Sequence, residues 1–225
     1  MRRGQYTVVA IVEGHGEATA VPELIARWFK YRRFENFQVT QPAVCTRGCG
    51  SLKASYDHNE GLGVEYFVKN ALRMGPSAIV IVLDSDDECI LRGRNGTEKL
   101  GPELLRRATA VSNGVPVAVA IANRSFESWF MASLQRIRNA GIFPSNARLP
   151  SRRAIDELPG HKGRIGRWLS ETRGTSYEER IHMNLLAAQV GFSKAACRRS
   201  PSFGKLIREL ERVTTLARGA IEINL

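Results

Sequence analysis

Two unbroken apolar runs of strand length constrain the fold of this 225-residue chain more than any other feature. They cover residues 78–83 and 117–122, and a β-rich run precedes them at 6–12. Strands without polar alternation are typical of a parallel sheet that is covered on both faces. Because helical stretches alternate with these strands, the sequence predicts an α/β fold with a central, mainly parallel sheet.

The segments between the strands show the hydrophobic period of helices. Apolar residues at i, i+3, i+4 and i+7 predict helices around 21–29, 64–72 and 100–111, and another helix should follow the last strand at 124–134. Residues 37–44 are expected to form a short strand, and the polar, Gly-bearing residues 51–63 a loop.

The chain changes in texture from about residue 144. Prolines and glycines punctuate a basic stretch, and a helix is then expected with Ser200 as its N-cap and Pro201 at its first position. We therefore expect an α/β domain over residues 1–143 and a basic helical C-terminal extension over 144–225 that packs on it.

The net charge of +11 favours a polyanionic partner, most simply nucleic acid, whether DNA or RNA. Residues 141–225 carry 15 basic and 8 acidic residues, a net charge of +7. The alternative is an arginine-rich, solvated surface without a partner. Four cysteines at these spacings predict neither a disulfide framework nor a zinc site. With no signal peptide or membrane span in the sequence, we expect a soluble, cytoplasmic protein.

Acidic residues follow two of the strands directly. Glu13 and Glu17 come after the first strand, and Asp84, Asp86 and Asp87 come after the second. The carboxyl ends of parallel strands meet at one edge of a sheet, where ligands bind. If the two strands are neighbours, these carboxylates converge and offer the oxygen ligands that Mg²⁺ or Mn²⁺ prefers. The pattern predicts a metal site for phosphate chemistry.

The same acidic residues also fit structural roles. The aspartates could form a polar turn that caps the next helix, and Glu17 could interact with a helix N-terminus. Glu127 is either a further ligand or an acid in a first helical turn beside the core aromatics Phe126 and Trp129. A dinucleotide site at Gly14-x-Gly16 is disfavoured, because the third glycine position of that motif is not glycine here.

Four short motifs together resemble a known group of proteins. They are VEGHGE at 12–17, LDSDDEC at 83–89, ANRSFESWFMAS at 122–133, and YEERIHMNLL with CRRSPSF between 177 and 203. The set resembles the Toprim fold of topoisomerases, primases and overcoming-lysogenization-defect nucleases. It is most similar to the Toprim-like family known as domain of unknown function 4276.

The resemblance implies a Toprim-like three-layer sandwich and a Mg²⁺-dependent nuclease. Glu13 matches the Toprim glutamate, a general acid/base or metal ligand, and Asp84 and Asp86 match the metal-binding DxD, so these three would be catalytic. Glu17 would be an additional ligand, as would Glu127. The sequence departs from many Toprim enzymes in having Asp87-Glu88 after the DxD, instead of a small residue or glycine.

The resemblance also implies a role in bacterial anti-phage defence beside an ATPase partner, because this chain has no Walker A motif of its own. The alternative is a non-catalytic nucleic-acid- or partner-binding module that keeps the fold. Basic residues of the C-terminal part, some near the N-terminus of the last helix, are expected to contact the nucleic-acid backbone. They are Arg152, Arg153, Lys162, Arg164, Arg167, Arg198, Arg199, Ser202 and Lys205.

Overall fold

A five-stranded parallel sheet lies at the centre of the computed structural model, which describes residues 5–46, 48–85, 99–150 and 155–222. The strands are β1 (Tyr6–Val12), β2 (Phe37–Val39), β3 (Val44–Cys45), β4 (Ala78–Asp84) and β5 (Val117–Ala122). Their order is β2-β1-β4-β5, with β3 also paired to β1, and all these pairings are parallel. The predicted α/β fold with a parallel sheet is confirmed.

Helices cover both faces of this sheet. The first four are α1 (Glu17–Arg32), α2 (Cys49–Lys53), α3 (Val64–Leu72) and α4 (Leu100–Ala110). After β5 come α5 (Glu127–Ala132), α6 (Leu134–Asn139), a 3₁₀ turn (Ile155–Glu157), α7 (His161–Arg173), α8 (Glu179–Ala187), α9 (Lys194–Arg199) and α10 (Pro201–Glu222). No helix within these described ranges is both long and apolar enough to cross a membrane.

Three sequence predictions need correction in detail. The strand expected over 37–44 is two short strands, because the segment between β2 and β3 contains Pro42, which has no N–H for the ladder. The loop expected over 51–63 begins inside α2. The helix expected over 124–134 begins only at Glu127, since Arg124 has a positive φ of 65°, and it is divided at Ser133.

Alternate residues of each strand enter two separate cores. Val8 and Val80 face the layer of α1 and the C-terminal helices, whereas Val9 and Ile79 face the layer of α2, α3 and α4. On the first face β5 presents the small residues Ala118, Ala120 and Ala122, which leave room for the long helix α10 to pack against it. The helices after residue 155 therefore share one core with the sheet.

The expected N-cap of α10 is present. The Ser200 hydroxyl accepts a hydrogen bond from the N–H of Phe203 at 3.2 Å, and Pro201 is the first helical residue. At the same terminus the Asp156 carboxylate accepts hydrogen bonds from the Ser200 hydroxyl (2.6 Å) and the Ser202 N–H (2.7 Å). The 3₁₀ turn thereby contacts the start of the last helix, where Asp156 accepts from the Ser202 N–H and the Ser200 hydroxyl accepts from the Phe203 N–H.

Candidate active site at the carboxyl edge of the sheet

Glu13 and Asp84 lie at the ends of neighbouring strands. Val12 of β1 is in register with Val82 of β4, so the two acidic residues reach the same edge. The Glu13 Oε2 atom accepts a hydrogen bond from the backbone N–H of Asp84 at 3.2 Å. The strands that precede the two acidic clusters are therefore neighbours, as convergence of the clusters requires.

Two glycines shape the turn from β1 into α1. A Cβ atom on Gly14 would lie 2.5 Å from Oε2 of Glu17, so the glycine leaves space for that buried carboxylate over the turn. A Cβ atom on Gly16 would lie 2.5 Å from the sulfur of Met183 and 3.1 Å from Cβ of Glu179. The absence of a side chain at residue 16 therefore lets Met183 and Glu179 of α8 pack closely on the turn.

Glu127 stands at the start of α5, immediately after the turn that follows β5, and it is fully buried. Its Oε1 atom accepts a hydrogen bond from the Tyr177 hydroxyl at 2.9 Å. Its Oε2 atom is buried without a hydrogen-bond partner among the described residues, and the same holds for Oε2 of Glu17. Two carboxylates thus each keep one buried oxygen atom available for a ligand.

The carboxylates at this edge repel one another. Burial, together with the charges of Glu127, Glu179 and Glu13, raises the pKa of Glu17 from 4.5 to about 7. The pKa of Asp84 lies well above its usual value, first because the residue is buried and then because Glu127, Glu17 and Glu13 are near. Negative charge is therefore gathered here with too little positive charge to balance it.

Lys162 brings a cation from α7 to the same edge. Its Nζ atom lies 2.5 Å from Oε1 of Glu179, and both side chains are about half exposed. Burial lowers the pKa of Lys162, but the bond to Glu179 and the charges of Glu127 and Asp84 outweigh this effect and raise it. Lys162 stays positively charged beside the carboxylates, where its charge acts against their repulsion.

Hydrogen bonds to Arg124 and Ser125 hold the turn between β5 and α5 in place. The Arg124 N–H donates to the Ser85 hydroxyl at 2.6 Å, which joins this turn to the end of β4. His161 Nε2 donates to the Ile155 carbonyl (2.9 Å), so Nδ1 accepts from the Ser125 hydroxyl (3.1 Å). Burial lowers the pKa of His161, in keeping with a neutral ring. The start of α5, and hence Glu127, is held from both sides.

Sequence reasoning missed the site roles of Tyr177, Glu179 and His161. Tyr177 and Glu179 belong to the YEER segment, which the family resemblance included without assigning them a function. Lys162 was expected to contact nucleic acid, not to stand among carboxylates. The available signal was the acidic and aromatic composition of YEER, which is unusual in the most basic part of the chain.

The carboxylate oxygens have the donor chemistry that Mg²⁺ or Mn²⁺ prefers, and the two unpartnered buried oxygen atoms fit such a cation. Within residues 5–46, 48–85, 99–150 and 155–222, however, no three His, Cys, Asp or Glu side chains form a group that could hold a metal ion. Asp86 and Asp87 lie outside the described residues. The described side chains alone therefore do not complete a coordination shell.

The expected nucleic-acid contacts are spread over three helices. Lys162, Arg164 and Arg167 lie on α7, Arg198 and Arg199 are exposed at the end of α9, and Lys205 lies on α10, paired with Glu209. Arg152 and Arg153 are outside the described residues.

Ser202 differs from the other members of this set because its polar groups are engaged within the protein. Its N–H donates to Asp156, and its hydroxyl accepts from the Trp129 indole N–H at 2.8 Å. The N-terminus of α10 is thus occupied by protein groups.

The chain is similar to one solved structure and matches one family model. No curated protein matches the chain. A solved structure described as the C-terminal region of the Burkholderia pseudomallei OLD protein is similar at 15% sequence identity and a TM-score of 0.41. That match covers 93% of this chain and 98% of the other. The family model described as "Domain of unknown function (DUF4276)" matches residues 12–211, and the chain belongs to this family.

Proposed function

We propose that this protein is a divalent-cation-dependent enzyme that cleaves phosphodiester bonds in nucleic acid. The observation that carries the proposal is the buried, poorly compensated negative charge at the carboxyl edge of the sheet. Glu17 and Glu127 each keep a buried oxygen atom without a partner among the described residues, and burial and repulsion raise the pKa values of Glu17 and Asp84.

Such an arrangement is costly for the protein alone. A buried carboxylate oxygen atom without a partner loses its hydration and gains no hydrogen bond in return. A hard cation would supply the missing positive charge and accept the unpartnered oxygen atoms as ligands. Functional sites are the usual places where a fold tolerates groups that destabilise it.

The residues that would hold Mg²⁺ or Mn²⁺ are Glu13, Glu17, Asp84, Asp86 and Glu127. The bound cation would stabilise negative charge at phosphorus and lower the pKa of a bound water molecule. Glu13, Asp84 and Asp86 are the proposed catalytic residues. Glu13 is less buried than Glu17 or Glu127, which suits it to contact substrate and transfer a proton.

Other side chains would position substrate or ligands. Lys162 carries its charge at the rim of the acidic edge, where it can attract a phosphate oxygen. Tyr177 holds Glu127 in place through one of its two carboxylate oxygens. The exposed Arg167, Arg198 and Arg199 would contact the nucleic-acid backbone together with Arg152, Arg153, Arg164 and Lys205. Ser202 fits a structural role better.

The wider setting rests on the motif resemblance alone. We propose that the enzyme works with an ATPase partner in bacterial anti-phage defence, since related nucleases do so and this sequence has no phosphate-binding loop of its own. We also retain the division into residues 1–143 and 144–225 as a proposal.

The test is a cleavage assay on single- and double-stranded DNA and RNA with Mg²⁺, Mn²⁺ or EDTA. Wild type should cleave only with a cation. Glu13→Gln should not cleave, because an amide cannot take up a proton or balance a cation. Glu35→Gln, the same change at an exposed position after α1, is the matched control and should behave as wild type. Equal cleavage by wild type and Glu13→Gln would refute the catalytic assignment.

A second candidate is a nucleic-acid- or partner-binding module without catalysis. The observation in its favour is that no group of three potential ligands is assembled among the described side chains. Calorimetric titration with Mn²⁺ separates the two candidates. The enzyme should give a binding heat that disappears in Asp84→Ala, whereas the absence of any heat in wild type would favour the binding module.

A further inference from the structure

A basic cavity lies away from the acidic edge, between α1, α6 and the segment that joins α8 to α9. Its volume is about 390 Å³. The residues that line it include Arg27, Lys30, Tyr31, Arg136, Phe192 and Ser193. Three cationic side chains and two aromatic rings therefore surround one space, and none of these residues belongs to the set proposed above for nucleic-acid binding.

The two arginines of this cavity are held in place by backbone carbonyls. Arg27 Nη1 donates to the Ala187 carbonyl at 3.0 Å, and Arg136 Nε donates to the Gln189 carbonyl at 3.2 Å. One hydrogen bond fixes each guanidinium and leaves most of its N–H donors for a ligand. The Lys30 ammonium is exposed and has no hydrogen bond or ion pair to any residue that the structure describes.

These cations are not neutralised inside the cavity. No Asp or Glu is among the described residues that line it. Burial lowers the pKa of Arg27 and the nearby charge of Arg136 lowers it further, while Glu23 on the same helix acts in the opposite direction. Positive charges that face one another in this way attract an anion, and guanidinium groups match the geometry of phosphate.

The rim of the cavity offers an aromatic surface. Tyr31 is 59% exposed, and its ring centroid lies 5.5 Å from that of Phe192, with 39° between the ring planes. An exposed ring beside bound phosphate is the arrangement in which proteins stack an unpaired base. A duplex keeps its base faces covered and cannot use such a ring.

Helix α1 links this cavity to the acidic edge. Glu17 is its first residue, and Arg27 and Lys30 lie about 15 to 20 Å further along its axis. Helix α8 follows the same path, since Glu179 lies by Gly16 at one end and Ala187 by Arg27 at the other.

Helix α9 begins at the cavity. Ser193 caps α9, the helix that carries the exposed Arg198 and Arg199. A single strand of nucleic acid could therefore extend over the protein surface from the acidic edge to the cavity.

We propose that this cavity binds single-stranded nucleic acid, with a backbone phosphate held by Arg27, Lys30 and Arg136 and a base stacked on Tyr31. The inference rests on the proposed function in one respect: the bound strand is the substrate of the acidic site. The cavity would then set the substrate class as a single strand and fix the distance from its anchor to the cleaved bond.

Fluorescence anisotropy in EDTA, with labelled single-stranded and duplex oligonucleotides, tests binding without cleavage. Tyr31→Ala should weaken single-strand binding by about 5- to 150-fold, and Tyr31→Phe, which keeps the ring, should bind as wild type does. Lys30→Ala should weaken single-strand binding and reduce the salt slope by about 0.7 for the lost phosphate contact. Arg73→Ala, an exposed charge at the end of α3 on the opposite face of the sheet, is the matched control and should change neither.

The binding experiment, read together with the cleavage assay, separates this inference from the proposed nuclease activity. Single-strand binding that is unchanged in both Tyr31→Ala and Lys30→Ala overturns the inference, even if the wild type cleaves nucleic acid. No measurable single-strand binding by wild type also overturns it. An equal loss of duplex and single-strand affinity in Tyr31→Ala overturns base stacking. Binding that depends on Tyr31 in a protein that never cleaves supports the cavity and refutes the proposed nuclease.

Discussion

The side chain of Glu13 accepts a hydrogen bond from the backbone of Asp84, with 3.2 Å between Oε2 and N. This bond joins the ends of two neighbouring strands across the edge of the sheet where the acidic residues collect. It holds Glu13 through an acceptor atom that a glutamine could also supply. A glutamine at this position can therefore keep the local structure while removing the negative charge.

Asp84→Asn should stabilise the cation-free protein. Asp84 is buried among Glu127, Glu17 and Glu13, and removing its charge relieves their repulsion. We expect a higher Tm at pH 7 in EDTA, by about 2 to 4 °C for each kcal/mol gained, and loss of any stabilisation by Mn²⁺. Thermal unfolding with and without Mn²⁺ measures both effects. A lower Tm in EDTA would show that Asp84 has a stabilising partner.

Glu17 should make the stability of the cation-free protein depend on pH. Its pKa rises from 4.5 to about 7 on folding, so between these values the folded protein keeps a proton that the unfolded chain releases. The contribution is full below pH 4.5, falls as the pH rises to about 7, and is then constant. The total fall is at most about 3.4 kcal/mol.

Glu17→Gln should remove this part of the pH dependence. Urea unfolding in EDTA should give similar free energies for wild type and variant near pH 4.5, and a more stable variant at pH 7.5. Glu60→Gln, at an exposed loop position, should follow the wild-type curve at both pH values. A constant difference between Glu17→Gln and wild type would contradict the raised pKa.

Gly16→Ala should destabilise the protein and disturb the acidic edge. The new Cβ atom would meet the Met183 sulfur at 2.5 Å and Cβ of Glu179 at 3.1 Å, so the buried Met183 side chain must move and Glu179 on α8 must shift slightly. Overpacking of this kind costs about 1 to 3 kcal/mol.

Gly163→Ala is the matched control for this change. Gly163 lies inside α7, and a Cβ atom there meets nothing within 4 Å, so alanine should stabilise the helix by about 0.5 to 1 kcal/mol. Chemical unfolding of both variants tests the contrast. Equal effects in the two proteins would mean that α8 does not pack closely on the turn.

Asp156→Ala should loosen the start of α10. Its carboxylate accepts hydrogen bonds from the Ser200 hydroxyl and the Ser202 N–H, both of which would lose a buried partner. We expect a loss of about 1 to 3 kcal/mol in the free energy of unfolding. Hydrogen exchange should speed up most in the first turn of α10, and uniform acceleration along the helix would contradict a local role.

The strands and the longer helices could be predicted because their signals are local. Strands β4 and β5 contain continuous apolar runs, and α1 and α3 show the helical period within a single window. The convergence of Glu13 with Asp84 followed from the topology of parallel sheets, which places consecutive strand ends at one edge. The general rules of parallel-sheet folds therefore predict that Glu13 and Asp84 lie close together.

The remaining contacts at the site depend on how distant helices pack. Tyr177 meets Glu127 across 50 residues, and nothing in the local sequence of either residue predicts the pairing. Asp156 binds the start of α10 from 46 residues before Ser202, where composition suggested a vacant phosphate site. Side-chain partners of this kind are set by tertiary packing and become visible only in the folded structure.

Helix α8 packs on Gly16, and its Glu179 pairs with Lys162 at the acidic edge. The balance of charge at this edge therefore depends on segments that come late in the sequence. The first strands and α1 bring Glu13, Glu17 and Asp84 together, whereas Lys162 and Tyr177 arrive on segments made later in synthesis. A chain without these later segments would thus hold the carboxylates of the acidic edge without the positive charge of Lys162. Removal of the residues after 155 should therefore leave Glu13, Glu17 and Asp84 together without the cation of Lys162.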